Sequence, residues 1–130
     1  MTDNRTGSGP LHTARVRGGA TVVTLHGEID LLTATPLSSR LDVLTAGPRP
    51  DLVLDLRTVD FIDCAGLGVL CRVRNRVQAR DGRLRLVTDS IGFRRLLRAT
   101  GLTDVFEVHS RLPECLGGGT PPGPRAASAG

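Results

Sequence analysis

The chain has 130 residues, 39% hydrophobic and 23% charged, with a net charge of +4 carried entirely by Arg on the basic side. That is one domain's worth of chain, enough for a single modest core. No stretch approaches the roughly 18 apolar residues of a membrane span, and the polar start at 1–10 lacks an apolar signal-peptide core, so a cytoplasmic protein without a membrane segment is expected. The charge is uneven: nine of the Arg residues fall within 64–100, against only Asp81 and Asp89 there. Such a basic stretch favours an acidic or anionic partner. With no Trp or Tyr and only three Phe, stacking platforms for nucleic acid are missing, and no nucleic-acid role is read from it. Cys64, Cys71 and Cys115 form no CxxC pair, which argues against a zinc ribbon or a disulfide framework.

In chain order, 1–10 is small, polar and turn-prone and reads as a flexible N-terminus. Residues 11–16 and the β-branched run 20–25, separated by Gly18 and Gly19, read as a pair of strands. The acidic stretch 26–30 leads into a helix for which Thr33 or Thr35 is a candidate cap and Pro36 a first-turn residue. Leu37, Leu41 and Leu44 give that helix one apolar stripe. Residues 51–56 (DLVLDL) read as a central strand, 58–63 as a turn, and 65–80 as a second helix with Leu70, Val73 and Val77 inward. Arg72, Arg76 and Arg80 lie four apart on an adjacent face, where solvation suffices. Residues 84–87 form the next strand. Residues 91–100 form a third helix with Leu96 and Leu97 apolar and Gly101 as its terminator. Residues 106–108 are a last strand and 111–116 a final helical turn. The tail 117–130, rich in Gly, Pro and Ala, reads as disordered.

The order ββαβαβαβα predicts a single α/β domain over 11–116, with a mixed, mostly parallel sheet of about five strands and helices packed on it. Sites in such folds gather in the loops at the C-terminal ends of parallel strands. The stretch DFIDCAGLGVL, 60–70, occupies that place. A helix beginning near Cys64 presents unpaired N–H groups and the positive end of its dipole. Asp63 can cap it or face a partner. Gly66 and Gly68 either permit close helix–sheet packing or let another surface approach the backbone. No Walker lysine follows, and the glycine spacing is not that of a dinucleotide loop. His12, His26 and His109 are scattered, and no signature joins them to Cys64 or to Glu28 and Asp30, so no catalytic, metal or cofactor-binding residue is assigned.

The blocks GEID at 27–30, LVLDL at 52–56, FIDCAGLGVL at 61–70, GRLRLV at 82–87 and LLRATGLTDVF at 96–106 together resemble the STAS domain family, and within it the bacterial anti-sigma factor antagonists. The resemblance spans about 11–116. It implies a non-enzymatic regulator that binds an anti-sigma factor of serine-kinase type and frees a sigma factor for transcription; for the free chain a monomer is the simplest expectation. In that family the loop before the second helix reads Asp-Ser-Ser/Thr-Gly-Leu, and phosphate on the first Ser switches binding off by placing about two negative charges at a packed interface. Here Asp63, Gly66 and Leu67 match, but the phosphoacceptor position is Cys64 and the next residue is Ala65. The implied partner surface is Asp30, Asp63, Ala65, Gly66, Leu67 and Gly68, with Cys64 at the regulatory position and the usual phospho-switch absent or replaced. Cys64 is then a small, partly buried Ser substitute, or a thiol activated at a helix start and open to oxidation. The alternative role within the family is a sensory or scaffold module that binds a nucleotide or other small anion at the helix N-terminus.

Overall fold

A computed structural model describes residues 11–112 and 116. The terminal stretches set apart above, 1–10 and 117–130, lie outside them, as do 113–115 of the helical turn expected over 111–116. The described elements are β1 (Leu11–Arg17), β2 (Ala20–Ile29), α1 (Leu31–Leu44), β3 (Asp51–Ile62), α2 (Cys64–Ala79), β4 (Arg83–Val87), α3 (Ile91–Ala99) and β5 (Glu107–His109). They form a five-stranded sheet in the order β1-β2-β3-β4-β5. The β1–β2 pair is antiparallel, and every later pair is parallel. Each crossover thus steps to the next strand in the same direction. Right-handed connections then place all three helices on one face of the sheet.

That face carries the main core. Leu25 of β2, Leu52 and Leu54 of β3 and Leu86 of β4 meet Leu37 and Leu41 of α1, Leu70, Val73 and Val77 of α2, and Phe93 and Leu97 of α3. Alternation along β3 sends Val53 to the opposite face, where it joins Ala20, Val22 and Val87 beneath Leu112 and Leu116. Both faces of β3 are therefore covered, which accounts for its nearly continuous apolar run. Gly101, at φ +74°, ends α3. It donates to the Arg98 carbonyl at 3.2 Å, and Leu102 donates to Leu97 at 2.7 Å, the paired bonds of a left-handed helix terminator. Among the described residues no helix is long and apolar enough to cross a membrane.

Three local expectations change. Residues 58–62 are not a turn but an extension of β3, and the acidic stretch 26–29 extends β2 beside it, paired as His26 with Thr58, Gly27 with Val59, Glu28 with Phe61 and Ile29 with Ile62. Two register shifts interrupt this ladder. At the first, the Thr58 hydroxyl donates to the Leu25 carbonyl at 2.7 Å, which is how a bulged ladder keeps its backbone groups satisfied. The cap of α1 is Asp30 rather than Thr33 or Thr35, so Pro36 lies inside the helix and not in its first turn. The Arg face of α2 is not merely solvated, because the end of α1 packs beside it: Arg72 Nη2 lies 3.0 Å from Asp42 Oδ2, and Arg76 Nε donates to Thr45 Oγ1 at 3.1 Å.

The face of the sheet opposite α1, α2 and α3 also carries ion pairs. Arg57 grips Asp55 through Nε at 2.9 Å and Nη2 at 2.8 Å, Arg83 pairs with Glu107, and Arg85 pairs with Asp51. Burial alone would raise the Asp55 pKa, but hydrogen bonds from the Arg57 side chain and backbone outweigh it and leave the carboxyl below its ordinary value. Glu107 behaves alike: burial raises it, and bonds from Arg83 and His109 bring it down. A depressed folded-state pKa contributes stability above the ordinary carboxylate range of about 4, lost as pH falls through the depressed value. The urea midpoint should therefore hold from neutral pH to about 5 and fall below about 4. Asp55→Asn should lower the neutral midpoint and flatten that acid limb. A midpoint unchanged between neutral pH and about 3 would contradict the assignment.

Candidate functional site at the ends of the central strands

The parallel strands β2 and β3 end side by side, and each hands the chain directly to a helix through an Asp. Asp30 is extended at φ −135° and its carboxylate accepts from the Leu32 and Thr33 N–H groups at 3.0 and 3.2 Å. The Thr33 hydroxyl in turn accepts the Asp30 N–H at 2.9 Å, closing a capping box. Asp63 repeats the design at the head of α2, where Oδ1 accepts the Gly66 N–H at 3.0 Å. The Asp63 N–H donates to the Ile29 carbonyl at 3.2 Å, which ties the two turns together. Both carboxylates thus cap helices, and their charge faces the positive ends of two adjacent dipoles.

The sequence-derived residues divide by exposure. Cys64 is exposed rather than partly buried, Gly68 is exposed too, and Asp30, Asp63 and Ala65 are half-buried. Gly66 and Leu67 are buried. A Cβ at Gly66 would lie 2.5 Å from the Ile29 carbonyl oxygen and 2.7 Å from Ile62 Cγ1. Gly66 is therefore the point where α2 rests on the strand ends, and of the two packing readings it takes the internal one. A Cβ at Gly68 would meet nothing within 4 Å, so that glycine leaves open surface. Cys64 and Gly68, four apart on α2, share the outward face.

The structure adds three residues that the sequence reading passed over. Leu31 and Leu32 are 76% and 86% exposed, and Phe61 is 52% exposed, all at this end of the sheet. A signal for the two leucines was present, since neither falls on the 37/41/44 stripe that buries α1. Large apolar side chains left exposed near one another are candidates for an interaction surface. Among the described residues no group of three or more His, Cys, Asp or Glu side chains could hold a metal ion. His109 is on β5, bonded to Glu107 at 2.8 Å.

Residues 12–115 match the family model described as the STAS domain. The chain belongs to the STAS domain family. Two similar STAS proteins are the anti-sigma-F factor antagonist RsfB of Mycobacterium tuberculosis and the anti-sigma-B factor antagonist of Bacillus subtilis. RsfB is 30% identical over 100 residues, spanning 77% of this chain and 81% of its own. The Bacillus protein is 34% identical over 89 residues, spanning 68% of this chain and 81% of its own. Among solved STAS structures, an anti-sigma factor antagonist from Mycobacterium paratuberculosis superimposes with a TM-score of 0.75 at 29% identity, covering 82% of this chain and 91% of that one.

Proposed function

We propose that this STAS domain is a non-catalytic anti-sigma factor antagonist. It binds an anti-sigma factor of serine-kinase type and so releases a sigma factor for transcription. The observation that carries the reading is the outward turn at the head of α2, where Cys64 stands exposed at the first helical position beside the Asp63 cap. Relatives similar over most of the domain bear the antagonist name. The contact surface we assign is Asp30, Asp63, Cys64, Ala65 and Gly68, with Leu31, Leu32 and Phe61 as apolar anchors. Gly66 and Leu67 shape it from beneath. Apolar anchors supply most of the energy in such an interface, and the polar rim supplies its register.

Cys64 offers no hydroxyl to a serine kinase, so on this reading the domain stays competent to bind while its partner hydrolyses or holds ATP. Each anti-sigma factor of the source organism, purified alone, is to be titrated with the domain by calorimetry. Release of the matching sigma factor is then scored by in vitro transcription. Saturable binding to one of them, with recovery of sigma-dependent transcripts and persistence in ATP, is the expected result. If none binds, the reading fails.

A further inference from the structure

Between the extended end of β3 and the head of α3 lies a recess of about 240 Å³, floored by Leu56, Val59, Phe93 and Leu96 and flanked by Asp60 and Phe61. It exists because β3 continues past the DLVLDL block instead of turning, so that 59–62 stand off from α3. Its polar groups are spent internally. The Thr88 hydroxyl accepts the Ser90 N–H at 3.1 Å, and the Ser90 hydroxyl accepts the Phe93 N–H at 3.1 Å. The floor is thus apolar, while the mouth is acidic. Asp60 lines it, Asp89 sits between two of its lining residues, and Glu28 pairs with Phe61 across the ladder; all three are exposed. No Arg lines the recess. Of the basic residues on the same elements, Arg57 holds Asp55 and also feels the charge of Asp89, while Arg94, bonded to the Ser110 hydroxyl, and the exposed Arg95 stand between Phe93 and Leu96 on α3. The exposed Ile91, 68% accessible, stands at the start of α3 beside it.

The geometry points to this recess as a second anchoring pocket for the protein partner, taking an apolar side chain that Lys or Arg residues flank on the partner's chain. The inference rests on the antagonist reading and names the chemistry of the partner's contact. An apolar floor accepts a Leu-sized or Phe-sized group, and the exposed carboxylate of Asp60 at the mouth, with Asp89 and Glu28 next to lining residues in chain or ladder, favours basic neighbours over acidic ones. The rim carboxylates outweigh the half-charge of the α3 N-terminus, which by itself favours anions. The anchor would sit beside Phe61, which the recess shares with the contact surface around Cys64.

Gly92 gives the test. It lines the recess, and a Cβ there would meet only Ser90 Oγ, at 3.6 Å. The backbone thus accepts a side chain at 92, so Gly92→Leu is expected to fill the recess, and it improves helix propensity. Against the anti-sigma factor that the wild type binds, Gly92→Leu should lower affinity by at least about tenfold while its melting temperature holds or rises. The double variant Asp60→Lys, Asp89→Lys should slow association at low salt and weaken its salt dependence. Unaltered affinity for Gly92→Leu, with binding still lost in Cys64→Asp, overturns the pocket and leaves the antagonist reading standing. If no anti-sigma factor binds the wild type, that reading falls instead, and a peptide arm judges the pocket alone. The tetrapeptide Arg-Leu-Phe-Arg, capped at both ends, should shift the NMR signals of Phe61, Phe93 and Leu96 in the wild type but not in Gly92→Leu. Its Glu-flanked counterpart should shift neither. Equal response to both peptides, no response, or self-association of the domain that Gly92→Leu abolishes would each overturn the assignment.

Discussion

Gly66→Ala is expected to destabilise the domain by about 3 kcal/mol or more, lowering its melting temperature by roughly 10 °C or more. The reason is the identity of the atom in the way. The new methyl would stand 2.5 Å from the Ile29 carbonyl oxygen, with side-chain carbons of Ile62 and Ile29 at 2.7 and 2.8 Å. A flexible side chain could swing aside, but this carbonyl is fixed twice: by the ladder of β2, and by the Asp63 N–H that it accepts at 3.2 Å. Relief requires α2 to lift from the strand ends, loosening Leu70 and Val73 from the core. Gly68→Ala, two residues on, is the matched control. Its Cβ meets nothing within 4 Å, so it should gain about 0.5–1 kcal/mol from the helix propensity of Ala over Gly. Thermal melts of the two variants by circular dichroism should move in opposite directions. A Gly66→Ala protein that melts with the wild type would mean that α2 is not seated as described.

The difference between those two glycines was partly legible in the sequence. Gly66, Leu70, Val73 and Val77 are spaced four, three and four apart, which places Gly66 on the buried stripe and Gly68 off it. Resemblance to the family marks both positions without saying which way each one faces. The alternation of strands and helices, the central DLVLDL strand, the 37/41/44 stripe and the Gly101 terminator could all be read because each rests on local periodicity or local backbone chemistry. The extensions of β2 and β3 could not. Residues 26–28 and 58–60 are polar or turn-prone, and they are extended only because they pair with each other across a bulged ladder, a long-range fact. The cap of α1 was misplaced for a different reason. Asp30 and Thr33 are both cap-forming residues, and they occupy the two ends of one capping box, so composition alone could not say which stood first. The basic stretch misled in a third way: Arg72 and Arg76 read as solvated charge, yet the end of α1 brings Asp42 and Thr45 to them. The recess beside α3 was invisible for the same reason as the strand extension that creates it.

Cys64→Asp should weaken partner binding by about a hundredfold while leaving the fold intact, and the two halves of that statement have separate causes. Cys64 is the first residue of α2, exposed, with Asp63 before it as the cap. A carboxylate at a first helical position interacts favourably with the helix dipole by about 0.3–1 kcal/mol, so the melting temperature should hold or rise slightly. In a complex, the same carboxylate would be taken from water into a contact already lined by the Asp30 and Asp63 carboxylates. An unpaired charge buried at an interface costs on the order of 3 kcal/mol, about a hundredfold in affinity. Cys64→Ser is the discriminating companion. It keeps the size and neutrality of the thiol and should bind as the wild type does. It also supplies the hydroxyl that the native chain lacks, so a partner with kinase activity should phosphorylate it in ATP and then release it. Calorimetry with and without ATP, followed by intact mass, reads all of these outcomes. If Cys64→Asp binds as tightly as the wild type, the turn at the head of α2 is not where the partner sits. If Cys64→Ser binds yet is never phosphorylated by a partner shown to be an active serine kinase, Cys64 does not occupy the acceptor position. The missing hydroxyl is then not what frees this domain from the family's switch.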